Sequence, residues 1–184
     1  MIYKLDNVTS LTAARWAAAE GFDYISFNFD KADANYISPM KVAEIQKWVT
    51  GIKFTGKFLN VEPTVILDLY KLLNLDAIEI DLKTAEILLL DHNIPTLLHI
   101  EKDSVNKVLE FQKIETGVFA FYFLNESEIP SGIPLDRLFL SSKFKGNLNV
   151  NSPFGISFNS ANETEPGLVD FEELENSKNY WKKL

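Results

Sequence analysis

Residues 53–81 read KFTGKFLNVEPTVILDLYKLLNLDAIEID. The segment opens with a strand-like run at 53–60 and passes into a helix at 64–73, whose apolar residues recur at helical spacing. It returns to a strand at 77–81. A strand, a helix and a second strand in so short a span make a βαβ unit, which places two strands parallel in one sheet. The same alternation continues in both directions. Upstream, strands are expected at 2–6 and 23–29, where DYISFNF is rich in aromatic and β-branched residues. Ser10 is placed to cap a helix running to 20, and Gly21 stands where a helix terminator belongs. Ser38 followed by Pro39 is an N-cap with proline at the first helical position, opening a helix to about residue 49. Downstream, strands are expected at 95–100, 117–124, 137–141 and 155–159, with helices at 84–90 and 104–113. Eight strands alternating with helices predict an α/β fold, a closed (β/α)8 TIM barrel filling residues 1–184 as one domain. The closing DFEELENSKNYWKKL has acids in its first turn and lysines in its last, as a helix dipole favours.

The alternation fails at NESEIPSGIPLD (125–136) and SKFKGNLNVNSPF (142–154), neither of which carries a helical period. Shared among eight units, 184 residues leave 23 apiece, and the total is below the roughly 200-residue floor of such barrels. The barrel is therefore expected to be trimmed and irregular around units six to eight. Glycine is scarce as well, with eight in the chain.

Composition limits the function. With 18 Lys and Arg against 26 Asp and Glu, the net charge of −8 argues against nucleic-acid backbones and anionic membranes as partners. The absence of cysteine excludes disulfides and thiolate chemistry. The start at Met1-Ile2-Tyr3-Lys4 resembles neither a signal peptide nor a transit peptide, so a cytoplasmic location is expected.

Several segments, in order, resemble the phosphoribosylanthranilate isomerase family. They are residues 4–20 with the Ala-Ala-Ala-Glu run, Phe27-Asn28-Phe29, Tyr36-Ile37-Ser38-Pro39, Phe58-Leu59-Asn60, Leu75-Asp76-Ala77-Ile78, and Glu163 to Gly167 with Asp170. The resemblance implies a (β/α)8 enzyme of tryptophan biosynthesis, which turns an aminoaldose phosphate into an aminoketose by an Amadori rearrangement without a cofactor.

The functional residues implied by the resemblance are mostly replaced. Asp6 stands where the family keeps a cysteine base, and Asn35 where it keeps a positioning arginine. Asn125 stands where it keeps an aspartic acid, and an amide cannot serve as an acid. The phosphate-binding glycines after strands seven and eight become Ser141-Ser142-Lys143 and Asn159-Ser160-Ala161, although Lys143 or Lys145 could still reach an anion. With Asp6, Asp81, Glu101 and Glu79 facing the mouth, a phosphosugar meets repulsion. Two like charges 4 Å apart cost about 4 kcal/mol at an effective dielectric of 20, comparable to the roughly 4 kcal/mol of millimolar binding.

The resulting expectation is a degenerate barrel, a pseudoenzyme that binds a different small molecule or offers a partner surface. Asn35, Asn60, Asp81, Ser142, Lys143, Asn159 and Ser160 are its candidate binding residues. One alternative is a working isomerase with Asp6 as base and Glu126 as substitute acid. Another is a different, metal-assisted activity at the acidic strand ends, although no spacing motif joins Asp81, Glu101 and His99 as ligands. Competing structural readings make Asp6 a buried partner of Lys4, and Lys4 and Glu79 an ion pair inside the barrel. His92 reads as a loop residue and the VFAFYFL strand as core. The oligomeric state is not legible in the sequence.

Overall fold

The structure, a computed structural model, describes residues 1–88, 93–100, 105–111, 117–123, 129, 131–146, 153–160, 163–165 and 168–183. Eight parallel strands close into a barrel in sequence order. They are β1 (Ile2–Asp6), β2 (Tyr24–Asn28), β3 (Lys53–Lys57), β4 (Ala77–Asp81), β5 (Thr96–Ile100), β6 (Val118–Phe123), β7 (Leu138–Ser141) and β8 (Gly155–Asn159). Closure is made by β8 pairing with β1, from Ile2 opposite Gly155 to Asp6 opposite Asn159. The helices are α1 (Leu11–Ala19), α2 (Pro39–Gln46), α3 (Pro63–Leu72), α4 (Leu82–Leu88), α5 (Val105–Phe111) and α6 (Glu172–Trp181).

The local signals act as their chemistry requires. Ser10 Oγ accepts the Ala13 N–H at 3.1 Å and starts α1. Gly21, at φ 71°, ends it in the left-handed region, where a side chain is strained. Ser38 caps α2 and Pro39 fills its first position. That helix stops at Gln46, short of the expected residue 49. The chain turns instead through Gly51 at φ 79°.

Among the described residues no α-helix joins β6 to β7 or β7 to β8. A 3-10 turn at Leu135–Arg137 leads into β7. After β8, a small antiparallel pair, β9 (Glu163–Glu165) and β10 (Leu168–Val169), precedes α6. No pattern in the sequence marked this hairpin, because strands of two or three residues are too short to show a period. The C-terminal helix closes the outer layer against α1. Phe171 stacks on Trp16 at 4.4 Å, and the buried Lys178 ammonium donates to the Glu20 carbonyl at the end of α1. A cation there meets the negative end of the helix.

Strand alternation splits the interior in two. Leu5, Ile25, Ile78, Ile80, Leu98, Phe121, Leu140, Ile156 and Phe158 belong to the large core shared with the helices. A separate cluster of Leu97, Ala120, Tyr122 and Phe139, with Ile2 and Phe154 against it, fills the inside of the barrel. Gly155 belongs to this filling, since a Cβ there would lie 2.7 Å from the Ile2 carbonyl oxygen and closer still to the Phe139 ring. It marks a close approach inside a strand, unlike the turn glycines. Nearer the C-terminal strand ends the inward residues are polar: Lys4, Thr55, Glu79, His99, Ser157 and Asp6 are all buried. No described helix is long and apolar enough to cross a membrane.

Candidate functional site

An ion cluster spans the barrel interior. Lys4 Nζ lies 2.7 Å from Asp6 Oδ1 and 2.8 Å from Glu79 Oε2. Thr55 Oγ1 donates to Glu79 Oε1 at 2.7 Å, and His99 Nε2 stands 3.2 Å from Glu79 Oε2. Ser157 Oγ donates to Asp6 Oδ2. The cluster thus answers to both structural readings: Asp6 is a buried partner of Lys4, and Lys4 pairs with Glu79 inside the barrel.

The charges follow from the contacts. Burial alone would push Glu79 upward, but the Lys4 ammonium and the His99 hydrogen bond outweigh it and hold the carboxyl well below its usual range. Burial would lower Lys4, yet Asp6 and Glu79 together raise it. Burial lowers His99 against the pull of Glu79, so its imidazole is neutral near pH 7. An ionised carboxylate only accepts, so the His99 proton is assigned to Nε2 and Nδ1 is left as an acceptor. Burial, reinforced by Asp6, raises the Tyr122 hydroxyl well above its usual value, so it keeps its proton.

Above this cluster opens a cavity of about 190 Å³. Of the sequence candidates, Asp6, Ser142, Lys143 and Asn159 line it, together with His99. Ser160 adjoins them, its N–H donating to the Asp6 carbonyl at 2.8 Å. Ser141, named with Ser142 and Lys143 at the position of the phosphate loop, lines it too, and lining residues that the sequence reading missed are Asn7, Lys57, Tyr122 and Ser157. Strand parity holds the signal for several of them. Lys57 is in step with Thr55, Tyr122 with Ala120, and Ser157 with Asn159. Tyr122, expected only as core, both packs inside the barrel and lines the mouth. Asn7 adopts φ 56°, which an asparagine tolerates, and its Nδ2 donates to Asn159 Oδ1 at 2.6 Å.

The other candidates lie elsewhere. Asp81 Oδ1 accepts the Thr84 N–H at 2.8 Å and caps the first turn of α4. Asn60 Nδ2 donates to Asp30 Oδ2 at 2.6 Å beside a separate cavity of about 540 Å³, which Tyr36, Val65 and Leu69 also line. Asn35 donates its backbone N–H and its Nδ2 to Asp33 Oδ1, closing a turn in the loop before α2. Asn125, Glu126, Glu101 and His92 lie outside the described residues. Among the described residues no group of three or more His, Asp or Glu is placed to hold a metal ion.

The loops that would cradle a phosphate spend their first donors internally. The Ser142 N–H donates to the Ser157 carbonyl at 2.7 Å, and the Lys143 N–H to Ser141 Oγ at 3.2 Å.

No protein-family model and no curated protein sequence matches the chain. Solved structures do. A monomer generated from the dimeric phosphoribosylanthranilate isomerase of Thermotoga maritima superposes with a TM-score of 0.73 at 22% identity, all of both chains being covered. The fold is that of phosphoribosylanthranilate isomerase. The isomerase of Thermus thermophilus superposes at 0.69 and 16% identity, over 100% of this chain and 99% of that one. A phosphoribosylanthranilate isomerase in complex with reduced 1-(o-carboxyphenylamino)-1-deoxyribulose 5-phosphate superposes at 0.72 and 21% identity over all of both chains.

Proposed function

We propose that this chain is a phosphoribosylanthranilate isomerase-like barrel that has lost the isomerase machinery and holds a smaller polar molecule at its mouth. The commitment of Asp6 carries this reading. A general base must exchange a proton with substrate, and protonating Asp6 breaks its ion pair with Lys4 at 2.7 Å. Size supports the same reading. The solved relative binds a carboxyphenylamino group, a five-carbon sugar and a phosphate in one molecule. Pockets for ligands of that class run to about 300–1,000 Å³, whereas the mouth cavity holds about 190 Å³. The donors already used after β7 and β8 weigh against a phosphate cradle.

The test is complementation of a strain lacking the isomerase, paired with a direct assay of the purified chain. No growth without tryptophan and no turnover are expected. Growth that vanishes in Asp6→Ala would overturn the reading in favour of a working isomerase.

A further inference from the structure

Of the seven large apolar side chains that stand exposed among the described residues, five lie on α2, α3 and α4 or in the turn after α2: Met40, Trp48, Val65, Leu72 and Ile87. These helices are consecutive connections of the barrel, side by side on its outer wall. Single apolar residues scattered over a surface are ordinary, but their concentration on one side marks an interaction face.

This face has a knob and a socket. At the C-terminal ends of α2 and α3, Trp48 is 70% exposed and Leu72 74%. Gln46 Nε2 donates to the Leu73 carbonyl at 2.9 Å and ties these two ends together. At the opposite ends lies the cavity of about 540 Å³, walled by Tyr36, Pro39, Val61, Val65 and Leu69. Its volume is within the roughly 300–1,000 Å³ of pockets that enclose a drug-sized molecule, so an indole fits. Its buried carboxylate, Asp30, is already held by Asn60 at 2.6 Å and by the Ala32 N–H at 2.9 Å. The cavity therefore offers a wall to an apolar side chain more than an anchor to a polar ligand. Val65, Leu69 and Leu72 recur at i, i+4 and i+7, so one apolar stripe of α3 runs from socket to knob.

We propose that α2 and α3 form the interface of a homodimer, with Trp48 and Leu72 of each copy seated against the cavity of the other. A twofold interface must be self-complementary, and a knob and a socket at opposite ends of one face meet that condition. A twofold axis running across the helices lays α2 on α2 and α3 on α3, antiparallel, so that each knob end meets a socket end. Charge agrees with this direction. Glu62 stands at the start of α3 and Lys71 in its last turn, so antiparallel pairing brings Glu62 of one copy to Lys71 of the other, twice. Parallel pairing would set like charges and like ends together.

Sedimentation velocity on the full chain, over a range of concentrations up to about 200 μM, tests this. A dimer is expected, and Tm should rise with concentration. Trp48→Ala and Leu72→Glu are each expected to weaken it about tenfold or more, as loss of a central aromatic or aliphatic anchor does. Both residues are exposed, so circular dichroism and the Tm of the dilute variants should match wild type. Glu62→Lys and Lys71→Glu should each weaken the dimer, and the double reversal should restore it. A wild-type chain that stays monomeric overturns the proposal, and so does a dimer indifferent to both Trp48→Ala and Leu72→Glu. A double charge reversal that dimerises no better than the single variants overturns the antiparallel pairing.

Discussion

Lys4 and Glu79 meet 2.8 Å apart inside the barrel, one from β1 and the other from β4, with essentially no exposure to solvent. Neither charge would be tolerated there alone, and each makes the other affordable. Asp6 shares the same ammonium, so one cation serves two carboxylates. Removing it leaves both uncompensated. Lys4→Met is expected to cost about 3–5 kcal/mol of folding stability, the usual penalty for breaking a buried pair on one side. Adding Glu79→Gln to Lys4→Met should recover part of that loss. Urea denaturation of the two single variants and the double variant gives the coupling, and strict additivity would show that the pair does not act as a unit.

The pH dependence has a predictable shape. Glu79 is depressed in the folded state, so its contribution is full above its unfolded value of about 4.3 and is lost as pH falls through the folded value. His99 is also depressed, but as a base. The unfolded chain takes up that proton first, and stability declines as pH drops below about 6.5. Lys4 is raised, so its contribution persists through its unfolded value of about 10.4 and disappears as pH climbs through the folded value. Maximal stability is expected between about pH 7 and 10. His99→Gln should flatten the decline just below pH 6.5 while leaving the steeper acid limb of Glu79. Melting temperatures from pH 3 to 11 measure both limbs.

The barrel was legible because its strands carry strong local signals, β-branched and aromatic runs bounded by caps such as Ser10 and Ser38 and by Gly21. That no α-helix flanks β7 among the described residues was legible for the converse reason, since Asn, Gly and Pro break any helical period. The mouth was only half legible. Asp6 and Asn159 stand at strand ends and could be placed by counting. Lys57, Tyr122 and Ser157 could have been found by strand parity, but they were hidden by looking like an ordinary surface lysine, a core aromatic and a small strand residue. The partition of Asn35 and Asn60 away from the mouth could not be read from sequence. It depends on loop turns closed by Asp33 and Asp30, which only the three-dimensional path of the chain reveals.

Gly155 gives a test of the filling inside the barrel. A methyl group there would collide with the Phe139 ring and approach the Ile2 carbonyl oxygen to 2.7 Å. Gly155→Ala is expected to destabilise by about 1–3 kcal/mol, the range for overpacking a filled core. Combining it with Phe139→Leu should relieve the ring collision but not the backbone one, leaving the double variant short of full recovery. A neutral Gly155→Ala in urea denaturation would mean that β1 and β8 separate more easily than their register suggests.

Trp181 ties the C-terminal helix to the mouth. Its indole Nε1 donates to the Ser142 carbonyl at 3.0 Å, while the Ser142 N–H donates to the Ser157 carbonyl at 2.7 Å. Ser142 is therefore held through both its N–H and its carbonyl, and with it the start of the segment that presents Lys143. Trp181→Phe keeps most of a buried ring but removes the donor, leaving the carbonyl without a partner at a cost of about 1–3 kcal/mol. The loss should be local. Amide exchange at Ser142 and Lys143 is expected to quicken, while β1 and β4, held by the Lys4 cluster, keep their protection. Uniform acceleration across the whole barrel would instead assign Trp181 to global packing, and unchanged exchange at Ser142 would show that the bond to Ser157 suffices alone.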